Sequence, residues 1–119
     1  MKRILSLCMA MVLAMATFAW AADDTVRIGV FLPLTGQNAF GGQLELEGVQ
    51  MAHKEAGTVL GKKVELFVVD NKSDKVESAN ATKRLIEKEK VQAIIGTYGS
   101  SLAMAGGWLH TRASKGHVS

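Results

Sequence analysis

Three short apolar runs alternate with two segments of helical period, and that order leaves few folds open. Thr25–Phe31 alternates, with Val26, Ile28 and Val30 on one side and Arg27, Gly29 and Phe31 on the other, and reads as a strand. Val64–Val69 begins alternating and becomes continuously apolar from Phe67. Val91–Ile95 is short and apolar, as a parallel strand buried on both faces should be. Between the first two runs, Leu44, Gly48, Val49, Ala52 and Ala56 recur at helical spacing, with Glu47, Gln50 and Lys54 on other faces. Gly57 and Gly61 end that helix and lead into a turn. Asp74, with Glu77 three residues later, opens a second helix like a capping box. Its expected inner face is Val76, Ala79, Thr82 and Ile86, with Leu85 flanking. The order is β-α-β-α-β with a partial third helix from Ser101. Helices between strands imply right-handed parallel crossovers, so the class is α/β with a parallel sheet. The expected strand order is second, first, third.

The first residues do not belong to that pattern. Lys2 and Arg3 precede an apolar stretch, Ile4–Ala19, and Ala19-Trp20-Ala21 fits a small-residue cleavage site. This is the pattern of a secretory signal peptide, with cleavage expected after Ala21. The apolar run is shorter than the roughly 20 residues of a spanning helix. Cys8, the only cysteine, lies inside it, so the mature chain carries no disulfide. An oxidising periplasm is compatible with that and not required by it.

The signal also carries the charge imbalance. Of 14 basic against 11 acidic residues, two of the basic ones are Lys2 and Arg3, and the mature chain is near neutral. No basic stripe with interleaved aromatics is present, so a nucleic-acid partner is not expected.

In such sheets ligands sit outside the carboxyl ends of the strands. Two loops meet that description, Leu32–Gly42 and Gly96–Ser101. Neither encodes nucleotide chemistry. Gly36 and Gly41 have P-loop spacing, but Gly42 and Gln43 stand where the Lys and Ser/Thr belong. A G-x-G-x-x-G fingerprint is absent from both. Ser100 and Ser101 lack the G-x-S-x-G elbow of a nucleophile. His53, on an exposed-looking helix face, and His110 and His117 near the C-terminus have no metal or triad spacing. Asp70 reads as a loop-capping carboxylate. Hence no catalytic residue, metal or cofactor is expected.

Binding without chemistry suits the loops better. Gly99 allows close backbone approach. Ser100 and Ser101 offer hydroxyls, and the amides at a helix start attract a carboxylate without a basic side chain. Phe40 could supply an apolar wall. Local roles compete with these: Ser100 as a helix cap and Phe40 packed on its own loop.

The stretch "RIGVFLPLTGQNAFGGQLELEGVQMA" resembles the opening of the periplasmic branched-chain amino-acid binding proteins of ABC transporters. "LGKKVELFVVDNKSD" resembles their second strand and following loop, and "ANATKRLIEKEKVQAIIGTYGSS" their second helix, third strand and ligand loop. The resemblance runs from about Val26 to Gly107. It implies a truncated lobe of a type I periplasmic binding protein, one of two lobes that close over a ligand. It also implies a small-molecule ligand, an amino acid or amide, and an ABC permease as the full-length protein's partner. By the same resemblance Ser100, with Ser101 beside it, contacts the ligand's α-carboxylate or α-amino group. Gly99 and Tyr98 belong to that loop. Gly41, next to Phe40, stands where relatives carry a pocket aromatic.

The domain reading is a signal peptide at 1–21, a partial N-terminal lobe at 22–107, and an atypical tail at 108–119. The tail, "WLHTRASKGHVS", shows neither amphipathic period nor an apolar strand, and an out-of-frame origin near Gly106-Gly107 is expected. Three other functional classes fit the sequence. They are a ligand-sensing domain that regulates a partner, a small exported α/β enzyme, and a non-functional product of a frameshifted gene. Gene neighbours, activity of the purified chain and the downstream DNA would separate them.

Overall fold

The computed structural model describes residues 25–115, with side-chain environments to Gly107. The signal segment, Cys8, the cleavage site after Ala21 and His117 lie outside the described residues. So do the side chains from Trp108 onward, His110 among them.

The chain runs β1 (Thr25–Leu32), α1 (Ala39–Ala56), β2 (Thr58–Val59), β3 (Lys62–Asp70), α2 (Lys75–Glu87), β4 (Ala93–Gly96) and α3 (Ser100–Lys115). The sheet order is β2-β3-β1-β4. β1 is parallel to both neighbours, with Val30 level with Val68 on one side and Ile95 on the other. This is the expected second-first-third arrangement, with one addition. After Gly57 the chain forms a tight hairpin, and β2 pairs antiparallel with the start of β3. Leu60 and Gly61 both have positive φ, 52° and 74°, as a two-residue primed turn requires.

α2 and α3 pack against each other on one face of the sheet, and among the described residues α1 is the helix on the other. The core forms under α2, where Phe31, Ala81 and Leu85 are buried against Phe67, Val69, Val91 and Ile94. Asp74 caps α2 as its spacing implies, accepting from the amides of Val76 and Glu77 at 2.8 and 2.9 Å.

Of the expected inner face of α2, Thr82 is buried, whereas Val76, Ala79 and Ile86 are not. Ser78, Ala81, Thr82 and Leu85 are its buried residues, and Val76 is 67% exposed. Leu85, expected at the flank, is fully buried. α2 is covered by both the sheet and α3, and small side chains let α3 approach. The Ser78 and Thr82 hydroxyls donate to the carbonyls of Asp74 and Ser78, so neither is buried unsatisfied.

α1 differs in another way. Its apolar stripe faces the sheet without sealing against it. Val49, Ala52 and Ala56 line an open cavity of about 510 Å3 with Ile28, Leu32 and Leu66, and Leu44 remains 54% exposed. His53 is not a solvated surface histidine. It stands one helical turn beyond Val49, is half-buried, and its Nε2 lies 2.8 Å from the Val64 carbonyl.

Candidate functional site

Three segments meet at the carboxyl ends of β1, β3 and β4, and polar side chains bind them together. Asp70 ends β3 and reaches the segment that follows β1. Its Oδ1 accepts from the amides of Leu34 and Thr35 at 2.9 and 3.3 Å, and its Oδ2 from the Thr35 hydroxyl at 2.7 Å. It also accepts from the Lys72 amide at 2.8 Å. Partial burial opposes its charge, but the Thr35 hydroxyl and the amides of Lys72, Leu34 and Thr35 outweigh it and hold the carboxyl below its ordinary value. The loop-capping role read from the sequence is the one Asp70 performs.

Two neighbours extend the network. The Ser73 hydroxyl donates to the Thr35 carbonyl at 2.7 Å and accepts from the Asn38 amide at 3.1 Å. Asn71, fully buried, donates from Nδ2 to the Thr97 hydroxyl at 3.0 Å. The sequence singled out Asp70 alone here. Asn71 and Ser73 read there only as members of a polar loop, and Thr35 carries no signal of its own, because polar loop residues look alike until their partners are known. The run of four polar residues at Asp70–Ser73 directly after an apolar strand was the available signal.

The expected site residues divide into two groups. Gly99, Ser100 and Ser101 follow β4 at the exposed start of α3. Gly99 has φ of +102°, a conformation that suits glycine. Its carbonyl accepts from the amides of Leu102 and Ala103 at 3.1 and 3.0 Å. Ser100 and Ser101 open the helix, so their N–H groups have no intrahelical acceptor.

Phe40 and Gly41 do not lie in a loop, because α1 begins at Ala39 and both fall in its first turn. Gly42 follows them, packed so closely on the Pro33 carbonyl that no side chain fits. Phe40 is 81% exposed. Gly41 meets Tyr98. A Cβ built on Gly41 would lie 2.7 Å from Cδ2, Cε2 and Cζ of the tyrosine ring. The ring from the β4 side therefore covers the glycine on the α1 side. Among the described residues no cluster of His, Cys, Asp or Glu could hold a metal ion, and no helix is long and apolar enough to cross a membrane.

A family model described as "Periplasmic binding protein" matches residues 25–110, which takes in every described strand and the start of α3. The chain belongs to the periplasmic binding protein family. An amino acid binding protein of Pseudomonas aeruginosa is 32% identical over 103 residues, covering 84% of this chain and 27% of that protein. Among solved structures, the leucine binding protein LivK of Thermotoga maritima is 46% identical with a TM-score of 0.72, over 73% of this chain and 25% of that one. The branched-chain substrate-binding protein LivJ of Streptococcus pneumoniae, in complex with isoleucine, is 34% identical with a TM-score of 0.71, over 75% and 26%. A solute binding protein of Rhodopseudomonas palustris, in complex with 3,4-dihydroxybenzoic acid, is 30% identical with a TM-score of 0.71, over 76% and 25%. The chain spans about a quarter of the length of these proteins.

The type I lobe architecture expected from the sequence is therefore present: a mostly parallel sheet flanked by helices, matching these neighbours over most of the chain. Periplasmic binding proteins of this kind serve ABC transporters outside the cytoplasm, and the matched proteins are binders by name rather than enzymes. Two hydroxyls, free helix-start amides and an aromatic ring at one sheet edge can hold a small carboxylate. They provide no general base and no activated nucleophile.

Proposed function

We propose that the carboxyl edge of this sheet forms one wall of a binding cleft for a branched-chain or related amino acid or amide. In this reading the protein that carries the wall delivers its ligand to an ABC permease from the periplasm, after removal of residues 1–21. Ser100 and Ser101 take the ligand's α-carboxylate or α-amino group. Free amides at the start of α3 favour a negative group there, with no buried lysine or arginine needed. Tyr98, resting on Gly41, walls the side-chain end, and Phe40 stands at its margin. The observation that carries the proposal is the Tyr98–Gly41 contact beside the α3 start. It places an apolar surface next to hydrogen-bond donors, the combination an amino-acid site needs. The names and ligands of the matched proteins support the same class.

The test is a chimera in which residues 25–107 replace the matching quarter of the Thermotoga leucine binding protein. Calorimetry should show binding of leucine, isoleucine or valine. In that background Ser100→Ala should weaken binding by about 1–3 kcal/mol, the cost of losing a hydrogen bond to a charged group. A folded chimera that binds 3,4-dihydroxybenzoate and no amino acid would reassign the ligand class. Unchanged affinity in Ser100→Ala would return that serine to a capping role.

A further inference from the structure

We propose that the Asp70–Ser73 turn is the positioning element that sets the two ligand-facing segments against each other, and that Asn71 is the residue through which it acts on Tyr98–Ser101. The inference rests on the site reading above, but its geometry stands without a ligand.

Every polar group of Asn71 is engaged, and the partners lie on different segments. Its amide donates to the Leu32 carbonyl at the end of β1, at 2.9 Å. Its carbonyl accepts from the Asp74 amide at 2.9 Å, and its Oδ1 from the Ser73 amide at 3.1 Å. Its Nδ2 crosses to Thr97, the residue immediately before Tyr98. The turn that carries Asn71 is itself unusual in backbone, since Lys72 and Ser73 both have positive φ, 54° and 59°. Non-glycine residues hold such angles when surrounding bonds over-determine them. The same turn grips the opposite segment through Asp70 and Ser73, which bind Leu34, Thr35 and Asn38.

The β4 side needs this support. β4 is four residues long, and among the described residues it pairs only with β1. Gly96 and residues 98–101 are exposed. Among the described residues, Asn71 to Thr97 is the side-chain hydrogen bond that reaches residues 96–101. Without it, Tyr98 would be held on Gly41 by packing alone at a half-exposed surface. With it, the hydroxyls of Ser100 and Ser101 and the Tyr98 ring are pre-set relative to α1. Binding then does not have to order them.

The experiment uses the protein itself, without ligand. Tyr98 is the only tyrosine, so its ring signals in an NMR spectrum are unambiguous. Two readouts follow the turn: the nuclear Overhauser effect between the Tyr98 ring and the Gly41 α-protons, and hydrogen exchange at the amides of Leu102 and Ala103, which bond to the Gly99 carbonyl. Thr97→Val keeps the side-chain shape and removes the acceptor. It should weaken the Tyr98–Gly41 effect severalfold and speed exchange at Leu102 and Ala103 about tenfold, with amides in β1 and β3 little changed. Thr97→Ala should do the same, which covers the case where valine at this position prevents folding. Thr97→Ser, which keeps the hydroxyl, should restore both readouts to within twofold of wild type. A purely steric role for residue 97 would be kept by isosteric valine and lost in the smaller serine, the opposite pattern. Equal behaviour of serine and valine variants, unchanged readouts in both, or no Tyr98–Gly41 effect in the unmodified chain would overturn the proposal. Because no ligand is added, failure here is distinct from a chimera that binds no amino acid.

Discussion

Two glycine-to-alanine substitutions should separate a contact at the site from a contact in the core. Gly41→Ala and Gly106→Ala add the same methyl group, each to a helix and each against an aromatic ring. At Gly41 the new Cβ meets Tyr98 at 2.7 Å, and ordinary contact begins only at 3.4 Å, so the ring must move. Tyr98 is 47% exposed, so outward rotation costs little packing. The methyl group also favours α1, since replacing glycine in a helix gains up to about 1 kcal/mol. The two effects nearly cancel. At Gly106 the Cβ lies 2.7 Å from Cζ of Phe31 and 2.8 Å from Oγ1 of Thr82. Phe31 is 6% exposed and Thr82 is 1% exposed, so neither can swing into solvent. Overpacking of that kind costs about 1–3 kcal/mol, which the helical gain only partly offsets. A loss of 1 kcal/mol lowers Tm by about 4–8 °C in a domain of this size. Thermal unfolding by circular dichroism, with NMR of the single tyrosine, reads both variants. Gly41→Ala should shift the Tyr98 ring signals and leave Tm within about 4 °C of wild type. Gly106→Ala should lower Tm and leave Tyr98 in place. Unmoved tyrosine signals in Gly41→Ala, or equal Tm losses in the two variants, would refute the reasoning.

Other outcomes follow from the same geometry. Leu85→Ala empties the centre of the core and should cost about 2–5 kcal/mol, measured by urea unfolding. Asp70 should make stability pH-dependent with a definite sign. Its folded-state pKa is lowered, so its contribution is fully present above the ordinary carboxylate range and is lost as pH falls through the lower folded value. The stability gap between wild type and Asp70→Asn, followed by denaturant titration, should therefore be constant above about pH 5 and narrow in strong acid. The Ala19-Trp20-Ala21 pattern predicts Ala22 as the first residue of the exported protein, and N-terminal mass analysis finding Met1 retained would count against cleavage.

Much of this lobe is written in local pattern. Alternation marked β1, a continuous apolar run marked the end of β3, and Asp74 with Glu77 marked the start of α2, because strand period and helix capping involve residues a few positions apart. The turn at Gly99–Ser101 was visible for the same reason, as an apolar strand that stops at small donor-rich residues. Contact between segments was not written there. α2 turns Ser78, Ala81, Thr82 and Leu85 inward rather than its most apolar stripe, because the sheet and α3 together decide which side chains have room. His53 finds the Val64 carbonyl only once α1 lies across the sheet. Tyr98 covers Gly41, and Asn71 reaches Thr97, because parallel pairing brings the carboxyl ends of β1, β3 and β4 to one edge. Periodicity reports which face of an element is apolar. Which residues meet across the sheet edge depends on strand order and register, and those are settled only when the strands pair.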